Sequence, residues 1–225
     1  MSGLARLLDE MHVVHVRGTP STGKTTLASL LYLHCRERGD RVVFVPYWVD
    51  NSNPHWFLTQ MCKLAGYEDV DEKSLLSTKT TFIIDEAQSS YSDTLLWLQI
   101  IKYQSSRHSG PKICLFASYG SPSTGNPTSG KQNMPFRSTP VKLGPSQRVS
   151  LMVSRVPNTP DICLFYNLKE FCDALERLSS RAWSNCEFTS DAGRYLYSMT
   201  NGHPGAVASL MSYVYKVCAS LQYIT

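Results

Sequence analysis

Four short apolar runs, each separated from the next by a stretch of helical character, constrain this fold most. "HVVHV" (12–16), "RVVFVPYW" (41–48), "TTFIIDE" (80–86) and "KICLFAS" (112–118) are rich in β-branched and aromatic residues and read as strands. "TTFIIDE" is apolar at consecutive positions, so both faces of its pleat are buried and the strand is central. Residues 24–38 carry a wide apolar face, basic residues in the last turn and Gly39 as a stop, which predicts a helix. Pro54 opens a second helix to about Ala65, and Asp93 caps a third over "TLLWLQIIKYQ". Strands alternating with helices predict an α/β domain with a parallel, doubly wound sheet.

The alternation stops after residue 118. Residues 120–147 are dense in Gly, Pro, Ser, Thr and Asn, and so read as a mobile loop. The loop leads to an edge strand at "RVSLM" (148–152), and a further strand-like run, "DICLFYN", covers 161–167. Helical patterns follow at about 168–179, 190–200 and 204–219. The expected organisation is an α/β core over 1–167 and a small helical lid over 168–225. With 42% apolar and 18% charged residues among 225, the chain is globular rather than disordered. Its net charge of +4 is scattered, without the Lys/Arg run of a nucleic-acid tail. The seven cysteines are odd in number and form no CxxC pair, which predicts reduced thiols in a reducing compartment, cytoplasm or nucleus. "MSGLARLLDEMH" has no basic start followed by an apolar block, so no leader is expected, and no run is long enough to span a bilayer.

Chemistry is concentrated between the first strand and the first helix. Gly18, Thr19, Pro20, Ser21, Thr22, Gly23, Lys24 and Thr25 match G-x4-G-K-[ST] at every fixed position, with Thr26 following in the same helical turn. Such a loop turns consecutive backbone N–H groups toward a polyphosphate, and the helix adds its positive end. Lys24 would reach the β- and γ-phosphates and the Thr25 hydroxyl would bind Mg2+. "TFIIDEAQ" supplies the complementary acids: Asp85 for the metal, and Glu86 to polarise an attacking water. An acid at 86 fits ATP-hydrolysing enzymes that carry an extra strand between the two motifs, and the 41–48 run is expected to be that strand. Ser118, with Tyr119 second, ends the fourth strand where a polar group can sense the γ-phosphate. Arg148 and Arg107 are candidates for the positive charge that stabilises phosphoryl transfer. In "TNGHPGAV", Gly202 caps one helix and Pro204 starts the next, which accounts for the residue types locally.

Taken in order, "GTPSTGKT", "IIDEAQ", a strand ending in Ser118 and "NGHPG" in a helical segment resemble the AAA-related ATPases of the STAND class. The flanking "HVRGTP" and "FVPYW" are similar to the ATPase region of Crinkler-type effector proteins. The resemblance implies a three-layer P-loop NTPase core of the additional-strand type, followed by a small helical lid. It also implies ATP and Mg2+ as cofactors, and it places Gly202, His203 and Pro204 near the adenine. The Crinkler likeness would make the chain part of a secreted effector acting in host cells, although it carries neither the family's translocation module nor its toxin-like domain. Three functions are open: an Mg2+-dependent ATPase, a nucleotide-gated interaction module with little turnover, and a DNA-stimulated AAA-type ATPase. The chain is too short for the two RecA-like lobes of a helicase, and the acidic pair disfavours a small-molecule kinase. Expected partners are ATP or ADP and either a second copy or an effector domain of a larger protein, with no membrane.

Overall fold

The computed structural model describes residues 1–49, 53–107, 109–118, 139–153, 156–182 and 188–222. Its centre is a five-stranded sheet: β1 (Val13–Gly18), β2 (Val42–Val45), β3 (Thr81–Ile84), β4 (Lys112–Ser118) and β5 (Arg148–Val149). The spatial order is β2-β3-β4-β1-β5 and every neighbouring pair is parallel. An all-parallel sheet needs helices on both faces. Helices α1 (Ser2–Met11) and α2 (Lys24–Glu37) pack together on one side, where α2 buries Ala28, Leu31 and Cys35. On the other, α3 (Pro54–Leu64) and the segment from Ala87 to Ile101 close over alternate residues of the strands, among them Val43, Val45, Phe82, Ile84, Ile113 and Leu115.

The first four strand expectations hold as strands: 112–118 over its full range, 12–16 shifted to Val13–Gly18, and 41–48 and 80–86 shortened at their ends. The strand expected to lie between the two motif strands does not. β2 sits at the sheet edge, outside β3, whereas β4 lies between β3 and β1. Order in the chain and order in the sheet differ because each parallel crossover carries the strand to whichever edge its helix allows.

The capped helix at 93 takes an unexpected form. Asp93 Oδ1 accepts from the Leu96 N–H (2.9 Å), but Leu96–Ile101 is a π-helix before α4 (Lys102–Ser105). The Lys102 N–H reaches back five residues to the Trp97 carbonyl. Its indole N–H donates to the Ser90 carbonyl (3.0 Å), while Leu96, Trp97, Ile100 and Ile101 are all buried. The expected mobile loop lies mostly outside the described residues, as does Tyr119. Its described end forms a 3-10 turn at Pro145–Gln147 with Leu143 buried.

Two compact units divide the chain: Met1–Pro20 with Lys24–Ile162, and Ser21–Gly23 with Cys163–Thr225. The second holds α5 (Leu168–Ala182), α6 (Ser190–Thr200) and α7 (Pro204–Gln222) around Phe171, Leu175, Leu196, Val207 and Met211. The strand expected at 161–167 is not one; Cys163 makes a single bridge and the rest is irregular. Its backbone groups are engaged elsewhere, since the Tyr166 N–H donates to the Gly202 carbonyl (2.9 Å) and the Tyr197 hydroxyl donates to the Tyr166 carbonyl (3.3 Å). Asn167 and Glu170 then form a reciprocal capping box that starts α5. Among the described residues no helix is long and apolar enough to cross a membrane.

Candidate functional site

Register aligns the ends of the strands. Gly18, the last residue of β1, pairs with Ser118, the last of β4, and Ile84 of the neighbouring β3 runs directly into Asp85 and Glu86. The G-x4-G-K-T segment, Asp85, Glu86 and Ser118 therefore leave the sheet at one edge, the carboxyl ends of parallel strands where α/β folds build their sites.

Beyond Gly18 the backbone becomes left-handed at alternate residues, Ser21 (φ 63°) and Gly23 (φ 79°). Alternation of this kind turns successive N–H groups into a concave nest that suits an anion. A Cβ on Gly23 would meet nothing within 4 Å, so the dihedral rather than the space demands glycine there. Lys24 opens α2 and is only 8% exposed. Its amine donates to the Thr19 carbonyl (2.8 Å), which draws the loop around the side chain. Burial pushes the Lys24 pKa down, and the nearby charges of Glu86 and Asp85 push it back up. Thr25 and Thr26 are exposed in the first turn.

Asp85 is 4% exposed. Its N–H donates to the Val45 carbonyl (2.8 Å), prolonging the β2–β3 pairing, and its Oδ1 accepts from the Glu86 N–H (3.0 Å). Glu86 is left-handed (φ 47°), a conformation costly for a residue with a long side chain. It is held by Ser89, whose N–H and hydroxyl both donate to the Glu86 carbonyl (3.0 and 2.8 Å). The Trp48 N–H, past the end of β2, donates to the Ser89 hydroxyl (3.3 Å). The Glu86 carboxylate is exposed and accepts from the Gln88 amide NH2.

These residues fit a magnesium-bound polyphosphate. A buried carboxylate and a hydroxyl are the hard oxygen ligands Mg2+ takes, and phosphate-borne Mg2+ needs only one or two carboxylates from the protein. Among the described residues no cluster of three or more His, Cys, Asp or Glu side chains could hold a metal unaided.

The candidate arginines sit elsewhere. Arg148 pairs in register with His15, three residues short of Gly18. Its Nε donates to the Gly144 carbonyl (3.3 Å), and it lines an edge pocket of about 190 Å³ with Met152, Val156 and Ile162. Arg107 stacks on the Tyr103 ring, 4.4 Å from its centroid, and bonds the Tyr103 hydroxyl. In the second unit, Asn201 (φ 48°) rather than Gly202 is the left-handed C-cap of α6, and Gly202 follows in the same conformation (φ 73°). The ring of His203 packs against Phe165, centroids 5.0 Å apart, and its Nδ1 accepts from the Ala206 N–H (3.2 Å), capping the helix that Pro204 begins. One residue on, Gly205 lies against Ser21 of the same unit, where a Cβ would come within 2.6 Å of both the Ser21 Cβ and its carbonyl oxygen.

Motif spacing did not single out Gln88, Ser89 or Gly205. The sequence signal for Gln88 was an amide two residues beyond the acidic pair; Gly205 followed immediately on "NGHP". The chain matches no protein-family model and no curated protein.

Proposed function

We propose that this chain is a P-loop ATPase of the additional-strand, AAA/STAND-like class that binds ATP with Mg2+ and hydrolyses it. One observation carries the reading: Lys24, buried at the start of α2, ties the left-handed loop to itself through the Thr19 carbonyl at the sheet edge where Asp85 and Glu86 follow β3. The placement of β4 between β3 and β1 supports the additional-strand class. Backbone N–H groups of Thr19 and of residues 21–25 bind the phosphates and Lys24 neutralises charge on the β- and γ-oxygens. Thr25 and Asp85 would hold Mg2+, which supplies further neutralisation of developing charge. The Glu86 carboxylate orients a water and takes its proton as the water oxygen bonds to the γ-phosphorus and the bond to the β–γ bridging oxygen breaks.

Titrating labelled ATP and GTP in the presence of Mg2+, then measuring phosphate release, tests this. Lys24→Ala should weaken binding at least about tenfold. Glu86→Gln should keep ATP affinity and lose turnover by about a hundredfold or more. Wild-type turnover in Glu86→Gln removes the assigned base; no uptake of either nucleotide by folded protein removes the whole reading.

A nucleotide-gated switch with little turnover is the second reading. The grouping of Ser21–Gly23 with the C-terminal helices, and the seat of Gly205 on Ser21, favour it. The Crinkler-type likeness belongs with either reading and adds an effector context that the site does not require.

A further inference from the structure

The general base needs a fixed position as well as an ionised carboxylate. Glu86 stands on an exposed side chain with three rotatable bonds, and nothing in the phosphate-binding motif holds its end. Gln88 does. Its Nε2 donates to Glu86 Oε2, and its Oε1 accepts from the Ser118 backbone N–H (2.9 Å) at the tip of β4. The two partners set the amide's orientation. A backbone N–H can only donate and a carboxylate can only accept, so a flipped amide would oppose like with like at both ends. Ser118 is in turn paired in register with Gly18. A continuous path of one amide side chain and one strand pairing thus joins the Glu86 carboxylate to the start of the phosphate loop.

We propose that Gln88 is the positioning residue of the hydrolytic base, tying the Glu86 carboxylate to the backbone of β4 at Ser118. This rests on the ATPase reading above. The assignment at Ser118 falls on the main-chain N–H, so its hydroxyl is not required. Loosening the tie lets the carboxylate swing away from the attacking water while the loop, Lys24, Thr25 and Asp85 still bind the triphosphate.

Steady-state phosphate release over a range of ATP concentrations at saturating Mg2+, with thermal unfolding of each protein, is the test. Gln88→Ala should lower kcat by about tenfold to a hundredfold, the scale of an ångström-sized misplacement. KM should stay within about twofold and the unfolding midpoint should not move. Gln88→Glu keeps the length and the acceptor toward Ser118 but sets a carboxylate against Glu86, and should lose at least as much. Full turnover in Gln88→Ala overturns the proposal. So does a matching rise in KM, or a fall in activity accompanied by early unfolding, which would mark Gln88 as structural. If Glu86→Gln is inactive while Gln88→Ala runs at the wild-type rate, only the positioning role fails. If wild-type hydrolysis is absent or independent of Glu86, the ATPase reading fails and this role with it.

Discussion

His15 shows how much one buried side chain can weigh. It lies in the middle of β1, 1% exposed, with the Tyr91 hydroxyl 3.1 Å from its Nε2 and the rings of Tyr91 and Trp97 edge-on to it. Burial, with smaller contributions from Arg17 and Arg148, pushes its pKa down to about 3. The unfolded chain takes up this proton near the ordinary imidazole value, whereas the folded chain does not until far lower pH. Stability is therefore full above about pH 6.5 and declines as pH falls toward 3, because the unfolded state binds more protons across that window. Urea unfolding at pH 7 and pH 5 should show a loss of about 2 kcal/mol from this group. His15→Gln keeps an acceptor for Tyr91 and cannot titrate, so its stability should be flatter over the same interval. An unchanged slope would place the proton elsewhere. At this scale the sequence was informative where chemistry fixes spacing: Gly18 to Thr25 and the Asp85–Glu86 pair were legible, and the structure brings them to one sheet edge. Gln88 and Gly205 were not, since an amide and a small residue have no required spacing and acquire a role only through the neighbours that packing supplies.

Between residues and the whole chain, elements were legible according to how many constraints each carries. The first four strands are apolar runs rich in β-branched residues, buried at nearly every position, and they were readable. β5 shrank to two residues, and 161–167 became the irregular approach to α5, because the α6–α7 corner takes the hydrogen bonds of Tyr166. The π-helix was hidden because buried residues at 96, 97, 100 and 101 satisfy an α-helical period equally well; the backbone bond from the Lys102 N–H five residues back to the Trp97 carbonyl distinguishes the two. The α6–α7 corner makes its own prediction. Gly202 is left-handed, and a Cβ there would lie 2.1 Å from the Tyr166 carbonyl oxygen, a backbone atom that cannot rotate aside. Gly202→Ala should destabilise the second unit by about 2 kcal/mol or more, read as earlier loss of helical signal on heating. A variant as stable as the wild type would mean that the corner is free to shift, and the tight Tyr166–Gly202 pairing would then not hold it.

At the scale of the molecule, the proposed nucleotide site makes a prediction that reaches beyond the loop at 19–25. The three central loop residues, Ser21–Gly23, belong to the same compact unit as α7, and Gly205 in its first turn abuts Ser21 with no space for a methyl group. A ligand that fixes the loop amides removes freedom from Ser21, and close contact transmits that restraint only where packing leaves no slack. The amides next in line are Ala206 and Val207, whose N–H groups donate to the His203 ring and carbonyl. Hydrogen exchange with and without Mg2+ and ATP at about a hundred times Kd should therefore slow at residues 206–207 as well as at the loop amides of Thr19 and 21–25. Binding at that level adds about 2.7 kcal/mol of stability to whatever unfolds together with the loop. Protection confined to 19–25 would leave a plain ATPase with no signal in its helices. Protection at both, different in ADP and ATP, would make the helical unit the reporter of which nucleotide the loop holds. Gly205→Ala separates these outcomes from general tightening: its added methyl should alter exchange at 206–207 without nucleotide and reduce the further change on binding.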